Sequence, residues 1–195
     1  MNLLIDIAPR YVTVDGLEHP IRWGFRTSIR FEQLMMDTIK SDEQKLVEAL
    51  CLYYAEIPRD VDAAVERMLW FYRGGEDEAA GKGGDGGVSG RIYDYAIDGG
   101  YIYAAFLQQY GINLQRVGDL HWWEFRAMLL GLKDDCKFVQ ILGYRSTKPS
   151  SKMSSEQRAH LRKMQKLYAL PKPKEQREKE RAIEDMLMNG GKLRG

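Results

Sequence analysis

The sequence predicts a mainly α protein: an N-terminal β-hairpin, a small multi-helix bundle and a basic, amphipathic helical C-terminal tail. Three observations carry this. From Ile29 to Tyr72, and again from Tyr101 to Leu142, apolar residues recur at three- and four-residue intervals, the period of a helix with one buried face. Before Trp23 they alternate instead, on both sides of an Asp-Gly pair. Charge is also divided: residues 1–145 hold 16 Lys and Arg against 22 Asp and Glu, a net of −6, while 146–195 hold 13 against 6, a net of +7.

The hairpin comes first. Leu3-Leu4-Ile5-Asp6-Ile7 and Tyr11-Val12-Thr13-Val14 read as β-rich, and Asp15-Gly16 before Leu17 supplies the two positive-φ residues that a tight primed turn requires. Thr27 or Ser28 is the expected cap of the first helix, with Ile29, Phe31, Leu34, Met35 and Thr38 on one face. Ser41 with Gln44 makes a capping-box pattern ahead of Leu46, Val47, Leu50 and Tyr53-Tyr54. Pro58 precedes a third helix whose expected stripe is Val61, Val65, Met68, Leu69 and Tyr72, closed by a left-handed Gly74.

Residues 74–90 are the clearest boundary, because eight of the seventeen are glycine and almost nothing there can be buried. They read as a flexible linker. No Gly-Lys-Ser/Thr ending follows and no strong strand precedes, so a phosphate-cradling loop is disfavoured. The expected organisation is therefore a hairpin plus three helices over 1–73, the linker over 74–90, an aromatic-rich helical segment over 91–145 that packs on the first, and a basic tail over 146–195. In the third segment Asp98 is the expected cap of a helix over Gly99 to Tyr110 that Gly111 stops. Asp119 is expected to cap Leu120 to Leu132, and Asp134 or Asp135 a shorter helix through Phe138, Ile141 and Leu142. In the tail, Ser154 or Ser155 starts a helix, Pro171 and Pro173 interrupt it, and a charged helix resumes over Glu175 to Met188.

Chemistry finds little foothold. His19, His121 and His160 lie in unrelated segments, and Cys51 and Cys136, expected as buried free thiols, belong to no ligand-spaced cluster, so neither a metal nor a cofactor is expected. No Gly-x-Ser-x-Gly elbow occurs, and caps explain Asp94, Asp98, Asp134 and Asp135 more simply than acid–base catalysis does; an enzyme is not expected. Large aromatics at helical spacing anchor cores, so His121-Trp122-Trp123 reads as core, with each tryptophan N–H finding a carbonyl, rather than as a ring-stacking platform. The longest apolar runs fall far short of the roughly 20 residues that span a bilayer, and the first residues lack the form of a signal peptide, so an intracellular protein without a membrane partner is expected. Nucleic acid is disfavoured as a partner of the basic tail, because glutamates interleave its lysines from Glu175 to Glu184.

At Tyr93 the sequence meets a familiar pattern. Tyr93-Asp94-Tyr95-Ala96-Ile97-Asp98-Gly99-Gly100-Tyr101, continuing through Leu114, followed by Leu120-His121-Trp122-Trp123-Glu124-Phe125-Arg126 through Leu132, resembles the bacteriophage family called gene product fifteen, of long-tailed phages and related prophages. Members are generally placed immediately before the tape measure protein in the tail gene cluster. The resemblance therefore implies a non-catalytic tail assembly chaperone in the cytoplasm of an infected or lysogenic host, with the tape measure protein as client, other tail assembly proteins as further partners, and self-association in several copies.

The alternative is a structural or initiator-complex component retained in the virion. Amphipathicity alone selects Leu161, Met164, Leu167 and Tyr168, with Arg162 and Lys166 supplying charge, as the expected partner-binding face. Met35, Met36, Met128, Met153, Met164, Met186 and Met188 would suit an adaptable surface, although core filling explains the first three equally well.

Overall fold

A computed structural model describes residues 2–76 and 92–171. Two strands, β1 (Tyr11–Val14) and β2 (Leu17–Pro20), are followed by helices α1 (Phe25–Met35), α2 (Asp42–Tyr53), α3 (Val61–Tyr72), α4 (Tyr95–Tyr110), α5 (Trp122–Leu130), α6 (Lys137–Ser146) and α7 (Ser155–Leu167). The mainly α class with an N-terminal hairpin is thus the observed one. The hairpin pairs Tyr11 with Pro20 through Val14 with Leu17, and Asp15 and Gly16 turn at φ of 50° and 75° as the sequence requires. Val12 and Val14 are buried as β1 packs on α3. Leu3 to Ile7, by contrast, form no strand: the Asn2 carbonyl accepts from the N–H groups of Ile5 and Asp6 at 2.9 and 2.8 Å, which closes the backbone into a turn.

Local caps set some helix starts. Ser41 with Gln44, and Ser154 with Gln157, form complete capping boxes at α2 and α7, and Gly111 ends α4 in the left-handed region at φ 67°. Other starts differ from the sequence expectation. Helix α1 begins after Gly24, before Thr27 and Ser28, because the Phe25 N–H donates to the Leu120 carbonyl at 3.1 Å and the Trp122 N–H to the Trp23 carbonyl at 2.9 Å. The start of α1 and the start of α5 are thereby tied to each other, and α5 is capped by His121 rather than Asp119. Helix α4 starts at Asp94, whose carboxylate accepts from Ala96 and Ile97, so Asp98 lies inside the first turn. Cys136 stands at the head of α6, beyond Asp134 and Asp135, with no side-chain cap.

One hydrophobic cluster runs from Val12 to Phe138 and draws on residues from both sides of the glycine-rich stretch. Its centre is a row of stacked rings, Phe25 on Phe125 and Phe125 on Phe106, at centroid separations of 4.9 and 5.0 Å. Trp122 and Trp123 are each 2% exposed, and their indole N–H groups donate to the carbonyls of Tyr72 and Phe71 at 2.8 and 2.7 Å. They are core anchors, as read from their spacing.

Helix α3 meets the core through Ala64, Met68 and Phe71, which leaves Val61 exposed and Val65 half-buried. In α1, Phe31 and Leu34 are buried, but Met35 and Thr38 are exposed. Cys51 is exposed and Cys136 half-buried, both as free thiols, where burial was expected.

Gly74 and Gly75, with φ of 82° and 81°, belong to the body rather than to a linker: a Cβ on Gly75 would lie 2.8 Å from the Trp123 ring, and one on Gly74 would meet the Arg126 guanidinium. The rest of the expected linker, from residue 77, and the charged helix expected over Glu175 to Met188 lie outside the described residues.

Candidate partner interface

Helix α7 is seated on α6 by its apolar side. Leu161 is 7% exposed, Met164 is half-buried, and the Tyr168 ring stacks on Tyr144 at 6.1 Å with an edge contact to Tyr101 at 6.4 Å. Gln165 donates to the carbonyls of Tyr144 and Thr147, and the Lys137 ammonium lies 4.8 Å from the centre of the Tyr168 ring. Arg145 completes the attachment from below. Its guanidinium makes a bidentate pair with Asp98, at 2.6 and 2.9 Å, and also donates to the carbonyls of Tyr168 at 2.6 Å and Ile92 at 3.0 Å. The Asp98 carboxylate is wholly buried, and it accepts in addition from the Asp94 N–H at 2.9 Å. A buried carboxylate needs such saturation, since an unpaired charge out of water is costly.

The six residues selected by amphipathicity therefore divide. Leu161, Met164 and Tyr168 face the body; Arg162, Lys166 and Leu167 face solvent, Leu167 at 64% exposure. They do not present one continuous face to a partner. An open groove remains beside α7, lined by Gln140, Gly143, Tyr144, Met153, Gln157 and Leu161.

Among the described residues the two most exposed large apolar side chains, Leu4 at 94% and Ile7 at 91%, lie before the hairpin, with Ile5 at 80% and Leu3 at 46% between and beside them; Ile39 and Leu130, at 83% and 82%, stand apart from this segment. Sequence reasoning counted Leu3 to Ile7 as β-rich and so missed them as surface. The available signal was four aliphatic residues in five positions with Asp6 as the one polar interruption, more apolar surface than a strand of a two-stranded sheet can cover. Met35, Met36, Ile39, Leu46 and Val47 of the α1–α2 hairpin add further exposed apolar side chains, whereas Met128 packs against the core.

Other clusters are structural in their bonding. His121 Nδ1 accepts from the Trp123 N–H at 3.1 Å and Nε2 lies 2.9 Å from the Pro9 carbonyl, which fixes the neutral tautomer with the proton on Nε2. Burial holds its pKa below the usual histidine value, against the opposing pull of the Pro9 carbonyl and Glu124. Burial likewise pushes Tyr72 and Tyr95 upward, with the nearby Glu32 carboxylate adding to the rise, and Tyr54, bonded to the Ala64 carbonyl, up to about 12. Among the described residues no group of three or more His, Cys, Asp or Glu is placed to hold a metal, and no helix is long and apolar enough to cross a membrane.

No curated protein and no solved structure matches the chain. The model of one family, described as Bacteriophage Gp15 protein, matches residues 4–170, which include the hairpin, the seven helices of the described residues and the aromatic segment. The chain belongs to the Bacteriophage Gp15 protein family.

Proposed function

We propose that the protein is a non-catalytic tail assembly chaperone that binds the phage tape measure protein and keeps it soluble until the tail tube encloses it. The observation that carries this reading is the exposed aliphatic segment Leu3 to Ile7, none of whose side chains joins the hydrophobic core. A long helical client with apolar stripes aggregates unless those stripes are covered, and contiguous exposed apolar surface on a folded protein is where such cover forms. Family membership supports a role in phage structure or assembly, and the resemblance of residues 93–132 to proteins encoded beside the tape measure supports this client. Because the contact is short, each copy binds modestly, and several copies along one client supply the avidity.

The test is co-expression with the tape measure protein of the same phage, scored by client solubility and co-purification through a tag on this chain. The triple substitution Leu4→Ser, Ile5→Ser, Ile7→Ser removes exposed side chains only, so it is expected to leave the melting temperature unchanged and to abolish co-purification. A stoichiometric band of this chain in purified virions would instead favour the retained structural component.

A further inference from the structure

We propose that copies of this chain associate head to tail, the basic outer face of α7 on one copy docking on the acidic outer face of α3 on the next. On α7, Arg162 and Lys166 stand one turn apart, with Lys163 and Leu167 as a second such pair beside them, and all four are exposed. On α3, Asp62 and Glu66 stand one turn apart and are exposed, beside the exposed Val61, the half-buried Val65, which packs partly on the core, and one exposed cation, Arg67. Each face thus has two like charges at i,i+4 with an apolar edge alongside, and the signs are opposite.

Like charges at that spacing repel on an isolated helix, so each face is unfavourable alone and relieved by the other. Among the described residues none of Asp62, Glu66, Arg162, Lys163 and Lys166 has an ion-pair partner. Glu156, the one acid of α7, is in its first turn, where it complements the helix N-terminus.

A second copy fits the α7 face better than nucleic acid does. The body over 1–145 carries a net of −6, which repels a polyanion and attracts a basic helix, and Leu167 offers an apolar contact that a phosphate backbone cannot use. Helices α3 and α7 pack on different neighbours, α3 on β1 and α2 and α7 on α6. The contact joins different patches on the two copies, and wherever it is not reciprocated within one pair such contacts build rings or filaments. Two helical turns per side is a small interface, so the association is weak and salt-sensitive.

Sedimentation velocity of the full chain tests this at about 0.1 M salt, where charges are felt over roughly 10 Å, and at about 1 M, where the range falls to roughly 3 Å. The expected result is a sedimentation coefficient that rises with protein concentration at low salt and returns to the monomer value at high salt. Two charge-reversed variants, Arg162→Glu/Lys163→Glu/Lys166→Glu and Asp62→Lys/Glu66→Lys, are each expected to be monomeric at low salt. All the substituted side chains are solvent-exposed, and circular dichroism confirms that each variant folds. One copy with an acidic α7 matches one copy with a basic α3, so mixing the two variants is expected to restore a complex. A wild type monomeric at low salt, association that survives both reversals, a mixture that fails to associate, or low-salt binding of a DNA duplex by a chain that does not self-associate would each overturn the proposal.

Discussion

Arg145 ties three segments together, since one guanidinium serves Asp98 in the first turn of α4, the carbonyl of Ile92 ahead of that helix and the carbonyl of Tyr168, the C-cap of α7. Replacing it by methionine leaves the buried Asp98 carboxylate unpaired. Breaking a buried pair from one side costs about 3–5 kcal/mol, so Arg145→Met is expected to lower the urea midpoint by that equivalent. The double substitution Arg145→Met/Asp98→Leu removes both charges and is expected to recover much of the loss, which an equilibrium urea titration reads directly.

His121 gives a second prediction, in pH. Protonating Nδ1 sets a donor against the Trp123 N–H, and burial already depresses the folded-state pKa below 6.5. The unfolded chain therefore binds the proton more readily, and stability falls as pH drops through the window just below 6.5. Urea midpoints at about pH 7.5 and about pH 5.5 are expected to differ in the wild type, and to differ less in His121→Asn, which keeps a cap acceptor but has no proton to gain.

Among the elements, those whose signals are local were legible in the sequence. The Asp15-Gly16 turn, the boxes at Ser41 and Ser154 and the stop at Gly111 each depend on residues within a few positions. The starts of α1 and α5 were not legible, because Gly24 has no side chain to cap with and both starts are fixed by bonds between Phe25 and Leu120 and between Trp23 and Trp122. Asp98 was misplaced for a similar reason: a carboxylate near a helix start looks like a cap, and nothing local reveals a partner 47 positions away.

In α3 the stripe was drawn too far toward Val61, since the choice between Val61–Val65 and Ala64–Met68–Phe71 rests on which side β1 and α2 occupy. Gly75 shows the same dependence. It sits in a glycine-rich run that reads as a linker, yet its positive φ and its approach to Trp123 make it part of the core wall. Gly75→Ala is expected to destabilise by about 1–3 kcal/mol, as overpacking and a strained φ together do, whereas a glycine in an open linker would tolerate alanine; thermal melts separate the two.

For the whole molecule, the amphipathic tail helix was legible but its use was not. Periodicity shows that α7 has an apolar side, and only the position of Tyr144 and Arg145 shows that α6 covers it. Among the apolar side chains left uncovered are those of the aliphatic segment before the hairpin, where Leu4, Ile5 and Ile7 stand largely in solvent, and this is where the chaperone reading locates the client.

The measurement that tests that reading most directly is co-expression of the tape measure protein with the wild-type chain and with the Leu4→Ser/Ile5→Ser/Ile7→Ser variant. The account predicts a soluble tape measure that co-purifies with the wild type and an insoluble one with the variant, at equal melting temperatures for the two chains. A tape measure that stays insoluble beside the wild type, or that the folded variant solubilises equally well, would contradict it.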